Sequence, residues 1–171
     1  MYMALLREIS GRRSCKRFDG RAVESVKLDQ VVEAGRLAPS AKNRQEWRFI
    51  VVRRADLRDK IAAAAFREEN VSTAPVIIAA CTTNIDYMMP NGQHSHPIDL
   101  AVASSFMAIQ AESEGLESCF ITTFGEQDIK DLLSVPHRMR VVLLIVLGYP
   151  AADTDQQPRK PLQQIVSYEH W

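Results

Sequence analysis

The chain has 171 residues, 46% of them hydrophobic, and its 21 Lys+Arg cancel its 21 Asp+Glu to a formal net charge of zero. That is enough apolar material for one core, and the absent net charge excludes the large positive field by which proteins hold nucleic acid, or an acidic membrane, chiefly through phosphates. Three scattered cysteines, Cys15, Cys81 and Cys119, form no CxxC pair, which excludes a secreted disulfide scaffold and points to reduced thiols in a cytoplasmic protein.

Residues 1–14, MYMALLREISGRRS, turn charged after six positions and lack an h-region with a small-residue cleavage site, so no signal peptide is expected. Ser25 is placed to cap a helix whose apolar face is Leu28, Val31, Val32 and Gly35. It must end before Ala38-Pro39, because a residue preceding proline avoids the α region. A polar loop, SAKNRQE, follows, and the β-branched and aromatic run 47–52 predicts a strand. Asp56 and Asp59 then resemble the N-terminal cap of a helix running through the alanines 62–65.

The run 76–80 predicts a buried strand. Residues 99–114 are apolar almost all round and meet Gly115 as a stop, which predicts a helix with more apolar face than one small domain can cover. A short strand at 119–122, a helix at 126–133 closed by Pro136, and a central strand at 141–147 complete the alternation of strands and helices. The 141–147 run is the longest apolar one and is strand length, far short of the ~18 residues of a membrane span. With no repeat or linker, one domain over 1–171 is expected, residues 149–171 forming an extended tail.

Several chemistries lack their sequence marks. The seven glycines never fall as GxG, which removes the dinucleotide fingerprint and the P-loop, and HExxH, GxSxG and EF-hand patterns are missing. His94, His96 and Asp99 can be drawn as a metal site, but alternating histidines on a loop without further Cys or His ligands read as surface. Cys15 has no neighbouring histidine to act as a base and reads as a structural thiol.

One segment does carry chemistry. Arg12, Arg13, Lys16 and Arg17 put four cations beside Ser14 within six residues. A forked guanidinium, a point charge and a short hydroxyl donor together suit a terminal phosphate, although a basic run is also what a solvated face looks like. Arg159-Lys160, between Pro158 and Pro161, lies on a stretch held extended and able to carry cations across the surface toward the first cluster.

The blocks RRSCKRF, APSAKNRQEWRFIVV, TAPVIIAAC, DLAVASSFMAIQAESEGLESCFITTF, and LGYP followed by PRKPLQQIVSYEHW resemble, in order and spacing, those of the nitroreductase family of FMN-dependent oxidoreductases in its short single-domain form. The resemblance implies an α+β three-layer fold with a mixed, largely antiparallel sheet between helices. It also implies an intertwined homodimer with one FMN at each of two interfacial sites. By the same resemblance Arg12, Arg13, Ser14 and Arg159 grip the FMN phosphate and ribityl chain, and Lys16 lies near flavin N1 and O2. Pro39, Ser40, Ala41, Asn43 and Gln45 form the loop laid against the cofactor by the partner subunit. Thr122 and Thr123 supply backbone near N5.

The chain departs from the family pattern where QEW replaces QPW and where no glycine accompanies Thr122-Thr123; Glu68 is the nearest match to a polar residue before the AP strand. The implied activity passes hydride from NAD(P)H through flavin N5 to a small acceptor such as a nitroaromatic or quinone, in ping-pong fashion, with no protein catalytic group beyond the tuning cation Lys16. An FMN oxidoreductase with a special substrate and no nicotinamide, and a non-catalytic flavin-binding protein, are the alternatives. Trp47 reads as core packing and Phe124 as core or pocket wall.

Overall fold

The computed structural model describes residues 5–153 and 155–171. In chain order the elements are α1 (Arg7–Gly11), α2 (Ser25–Arg36), β1 (Trp47–Val52), α3 (Ala55–Ala64), α4 (Glu69–Thr73), β2 (Val76–Thr82), α5 (Ser95–Ser113), β3 (Glu117–Ile121), α6 (Glu126–Leu133) and β4 (Val141–Gly148). The strands form one sheet in the order β1-β2-β4-β3, antiparallel at each of its three pairings. Among the described residues parallel pairing occurs only in the isolated bridge between Ser14 and Ser118.

The two central strands explain why their sequences are apolar without alternation. In β2, Ile77, Ala79 and Cys81 pack with Ile61, Val71 and Ile129 of α3, α4 and α6, while Val76, Ile78 and Ala80 pack with Leu28, Val31, Leu100 and Met107 of α2 and α5. Both faces are covered, giving the three layers of an α+β fold. Ile77 and Ile78 are completely buried, each contributing about 1.5 to 3 kcal/mol of apolar transfer. A bulge lets β4 serve both layers: Ala80 pairs with Leu143 but Cys81 with Val141, so Val142 is the extra residue.

Several boundaries differ from the sequence expectation for identifiable reasons. Ser25 does not cap α2; Glu24 holds that position, and the Ser25 hydroxyl accepts a hydrogen bond from Arg53 Nη1 at 3.0 Å. Asp56 does not cap α3 either, because Arg54 binds its carboxylate on the surface. Helix α5 starts at Ser95, before Asp99, since Pro97 falls in the first turn where no N–H is needed. Ser134, left-handed at φ 54°, rather than Pro136 ends α6.

Trp47 is half-buried and stacks on Phe49 at 6.1 Å, as core packing. Gly35 brings α2 and α5 together, since a Cβ there would overlap Met107 Cε. Ser14 bridges Ser118 of β3, with Cys15 N donating to Ser118 O at 3.2 Å, and Phe18 bridges Pro150. Asp19 N to Tyr149 O at 3.0 Å and Ala151 N to Arg17 O at 2.9 Å fix where the C-terminal tail departs. Beyond that point the tail leaves Leu162, Ile165 and Tyr168 at 63%, 64% and 80% exposure. Among the described residues no helix is long and apolar enough to cross a membrane.

Candidate functional site

The bridge of Ser14 to Ser118 and the bond of Cys15 N to Ser118 O set the start of the basic segment against β3. Cys15 is fully buried in the core, whereas its neighbour Ser14 is half-buried and Lys16 is exposed. A cavity of about 410 Å³ opens there between α1, α5 and β3. Ala108, Ile109, Cys119 and Phe120 give it an apolar wall, and Arg12 and Ser14 a polar one.

Arg12 spends one donor on Arg13 O, at 3.0 Å from its Nη1. Among the described residues the rest of its fork makes no hydrogen bond and is open to a ligand. Arg13 behaves differently, donating through Nη1 to Ser10 O and to Gly11 O, the last carbonyls of α1. It acts as a C-terminal cap for that short helix. Burial and then the neighbouring Glu117 push the Glu112 carboxyl up, while Arg13, Arg12 and Arg7 oppose the shift.

Cys119 links the cavity to α4. Asn70 Nδ2 lies 3.5 Å from its Sγ. Burial pushes the Cys119 thiol up, opposed by the charges of Lys16 and Arg12, so both cations act on the cavity wall; Glu68 lies close enough to push it further up. Among the described residues, Asn70 Oδ1 and Ser118 Oγ are buried with no hydrogen-bond partner. Sequence reasoning stopped at Glu68 and missed Asn70, although Asn70 and Val71 are the buried positions of α4 and a buried amide needs a partner. Burial pushes the Cys15 thiol up to about 12, in keeping with an inert structural role.

The loop after α2 is built from strained backbone. Lys42, Asn43 and Gln45 are all left-handed, with φ of 52°, 55° and 54°. Asp99 Oδ1 accepts the Ala41 N–H at 2.9 Å, and Ser40 Oγ accepts the Gln45 N–H at 2.9 Å. The Gln45 amide donates to Asn43 Oδ1 at 3.1 Å, while Pro39 is exposed at the loop entrance. Asp99 and Ala108 are nine residues apart on α5, about 13 Å along its axis. Within this chain the loop and the Arg12–Ser14 cavity are therefore separate surfaces.

Thr122 and Thr123 are exposed just past the end of β3, and Phe124 packs partly into the core. Arg159 is exposed and donates to Gln157 O at 3.0 Å, within its own tail. The tail is tied back by Gln156 Nε2 to Ser10 O at 3.0 Å, beside α1, but the Arg159 guanidinium is not among the groups lining the Arg12–Ser14 cavity. The rings of His94 and His96 lie 5.6 Å apart, and burial, then His94 and Arg140, lower the His96 pKa against the pull of Asp99.

A profile described as the Nitroreductase family matches residues 9–75 and 65–149. A putative NADH dehydrogenase/NAD(P)H nitroreductase of Methanothermobacter thermautotrophicus is 30% identical over 153 residues, covering 87% of this chain and 78% of that protein. An FMN reductase [NAD(P)H] of Bacillus subtilis is 25% identical over 182 residues, covering 96% of this chain and 73% of its own length. The crystal structure of a nitroreductase family protein from Clostridium difficile 630 superposes with a TM-score of 0.89 at 29% identity, covering 99% of this chain and 100% of that one. The profile match takes in the cavity between α1, α5 and β3 together with the strained loop pinned by Asp99, and the chain accordingly belongs to the nitroreductase family and is an oxidoreductase.

Proposed function

We propose that the chain is a cytoplasmic, homodimeric FMN-dependent oxidoreductase that passes hydride from NAD(P)H through flavin N5 to a small acceptor such as a nitroaromatic or quinone. The observation that carries this reading is the cavity with Arg12 and Ser14 on one side and an apolar wall on the other; Asn70, whose Oδ1 is buried without a partner among the described residues, lies against Cys119 of that wall. Its volume of about 410 Å³ is in the range of small-molecule sites. A phosphate suits the first pair, an apolar ring system suits the wall, and a ring donor suits the unpaired Asn70 oxygen. These residues fit FMN. When bound, FMN supplies the two-electron chemistry, leaving orientation and charge to the protein.

Arg12 and Ser14 hold the phosphate by charge-assisted and hydroxyl hydrogen bonds, with Arg159 joining from the tail and Arg13 keeping α1 in place. Lys16 holds positive charge where electron density rises at N1 and O2. The backbone of Thr122 and Thr123 lines the approach to N5. Pro39, Ser40, Ala41, Asn43 and Gln45 complete the site from a second copy. The roughly 13 Å of α5 between Asp99 and Ala108 supports that division, since the two halves do not meet in one protomer. Exposed apolar side chains on α5, Ile98 and Phe106, and on the tail also call for a second copy to cover them. One pocket serving donor and acceptor in turn gives ping-pong kinetics, and the unpaired thiols suit the cytoplasm.

The test is the visible spectrum of purified protein, its anaerobic bleaching by NADH or NADPH, and recovery on adding an acceptor, with the mass in solution from light scattering. A yellow dimer that bleaches and recovers is expected. A colourless protein that takes up no FMN, or a bound flavin that neither nucleotide bleaches, would overturn the reading.

A further inference from the structure

The loop that carries Asn43 and Gln45 also carries two cations that the proposed FMN site does not use. Lys42 and Arg44 both converge on one aromatic ring, Tyr87, in the connection between β2 and α5. Arg44 Cζ lies 4.4 Å and Lys42 Nζ 5.9 Å from its centroid. Like charges brought to one ring repel, so the arrangement has to be imposed by the backbone. It is imposed by the left-handed residues Lys42, Asn43 and Gln45, held by Asp99 on Ala41 N and by Ser40 Oγ on Gln45 N. The backbone that carries the ring is held as well, with Ser95 N donating to Tyr87 O at 3.3 Å. Backbone strain kept by several independent contacts marks a functional segment more often than an accident of folding.

Arg44 pairs with Glu46 at 2.7 Å, and Glu46 is also occupied by Asn84 Nδ2 at 2.8 Å. Among the described residues no carboxylate forms an ion pair with Lys42, whose ammonium is exposed on the loop. A guanidinium oriented by a ring and an ammonium beside it make a phosphate-recognising pair, the first through a fork and the second as a point charge.

We infer that Lys42 and Arg44, braced on Tyr87, bind the 2′-phosphate of NADPH and so select the phosphorylated nicotinamide donor over NADH. The inference rests on the proposed function, because the same loop is the one laid against the cofactor of the second subunit. A dinucleotide whose nicotinamide ring reaches that cofactor extends its adenosine half outward across the rim. Lys42 and Arg44 face solvent there, and the 2′-phosphate is the only group that distinguishes the two donors.

The test is calorimetric titration of the flavin-loaded protein at low salt with 2′,5′-ADP and with 5′-AMP, which differ only in the 2′-phosphate. Wild type should bind 2′,5′-ADP about tenfold or more tightly than 5′-AMP. The ratio should fall close to one in the double variant Lys42→Ala/Arg44→Ala and survive largely in Lys42→Arg. Both side chains are exposed, so thermal melts of the variants should match wild type. Equal affinities in wild type, no binding of either nucleotide, or a ratio unchanged in the double variant would each overturn the inference. Bleaching by NADPH and NADH, followed on the same samples, keeps the two proposals apart. Bleaching with a binding ratio near one sinks the 2′-phosphate site alone, whereas a ratio lost in the double variant without bleaching leaves the anion site standing and sinks the oxidoreductase cycle.

Discussion

The Asp99 carboxylate, buried in the second turn of α5, accepts the backbone N–H of Ala41 at 2.9 Å on Oδ1 while its Oδ2 has no partner among the described residues. One side chain thus ties the strained loop to the longest helix. Asp99→Ala removes the acceptor and leaves the Ala41 N–H without it, at a cost of about 1 to 3 kcal/mol. Asp99→Asn keeps an acceptor for that N–H and should cost less. Urea denaturation together with flavin affinity checks this: Asp99→Ala should lose both stability and FMN binding, and Asp99→Asn should recover most of the binding.

That contact was illegible in the sequence, and the reason is physical. Left-handed backbone is normally announced by glycine, but here it falls on Lys42, Asn43 and Gln45, held by a carboxylate far along the chain. What could be read was whatever burial writes locally. The strands β2 and β4 announce themselves as apolar runs because both their faces are covered, and α6 because its boundaries carry charge and turn residues. Helices α1 and α4 have five residues each, too short to show a period. Of the candidate site, Arg12 and Ser14 were legible as charge against a neutral chain, whereas Asn70 becomes visible only once its burial beside Cys119 is known.

Arg12 and Arg13 are adjacent in sequence but differ in what holds them. Arg12 lines the cavity, and Arg13 caps the carbonyls of Ser10 and Gly11. Arg12→Ala should therefore weaken FMN binding by about 1.5 to 3 kcal/mol, as for loss of a charge-assisted phosphate contact. Arg13→Ala should act mainly by loosening α1, showing protease sensitivity near the N-terminus before any large loss of cofactor. Equal loss of FMN in the two variants, measured by flavin fluorescence, would contradict this division.

Glu126 gathers three partners at the start of α6: Arg140 Nε at 2.8 Å, the Val141 N–H at 3.0 Å and Lys130 Nζ at 3.4 Å. Burial raises its pKa, but the hydrogen bonds from Arg140 and Val141 and the charges of Arg140 and Lys130 outweigh that and hold the carboxyl below its ordinary value. A carboxyl depressed in the folded state stabilises the fold fully above its unfolded pKa, about 4.3, and loses that contribution as pH falls through its lower folded value. Wild type should thus be more stable than Glu126→Gln at neutral pH, with the gap closing below about pH 4. Thermal melts of both proteins across that range check it; a gap that widens on acidification would have the wrong sign.

Lys16 is the residue whose proposed role is electronic. Its side chain is exposed, and its charge opposes the burial that pushes up the Cys119 thiol of the cavity wall. Next to N1 and O2 it would interact more strongly with the reduced, anionic cofactor than with the neutral oxidised one, and so raise the midpoint potential. Lys16→Met should lower that potential. For a two-electron couple roughly 30 mV corresponds to 1.4 kcal/mol, and the contact is partly solvated, so a fall of a few tens of millivolts is expected. FMN affinity should drop less than in Arg12→Ala, while hydride transfer from NAD(P)H slows. Dye-linked titration of the bound flavin in wild type and Lys16→Met measures the shift directly. An unchanged potential combined with a large loss of FMN would move Lys16 onto the phosphate and remove its electronic role.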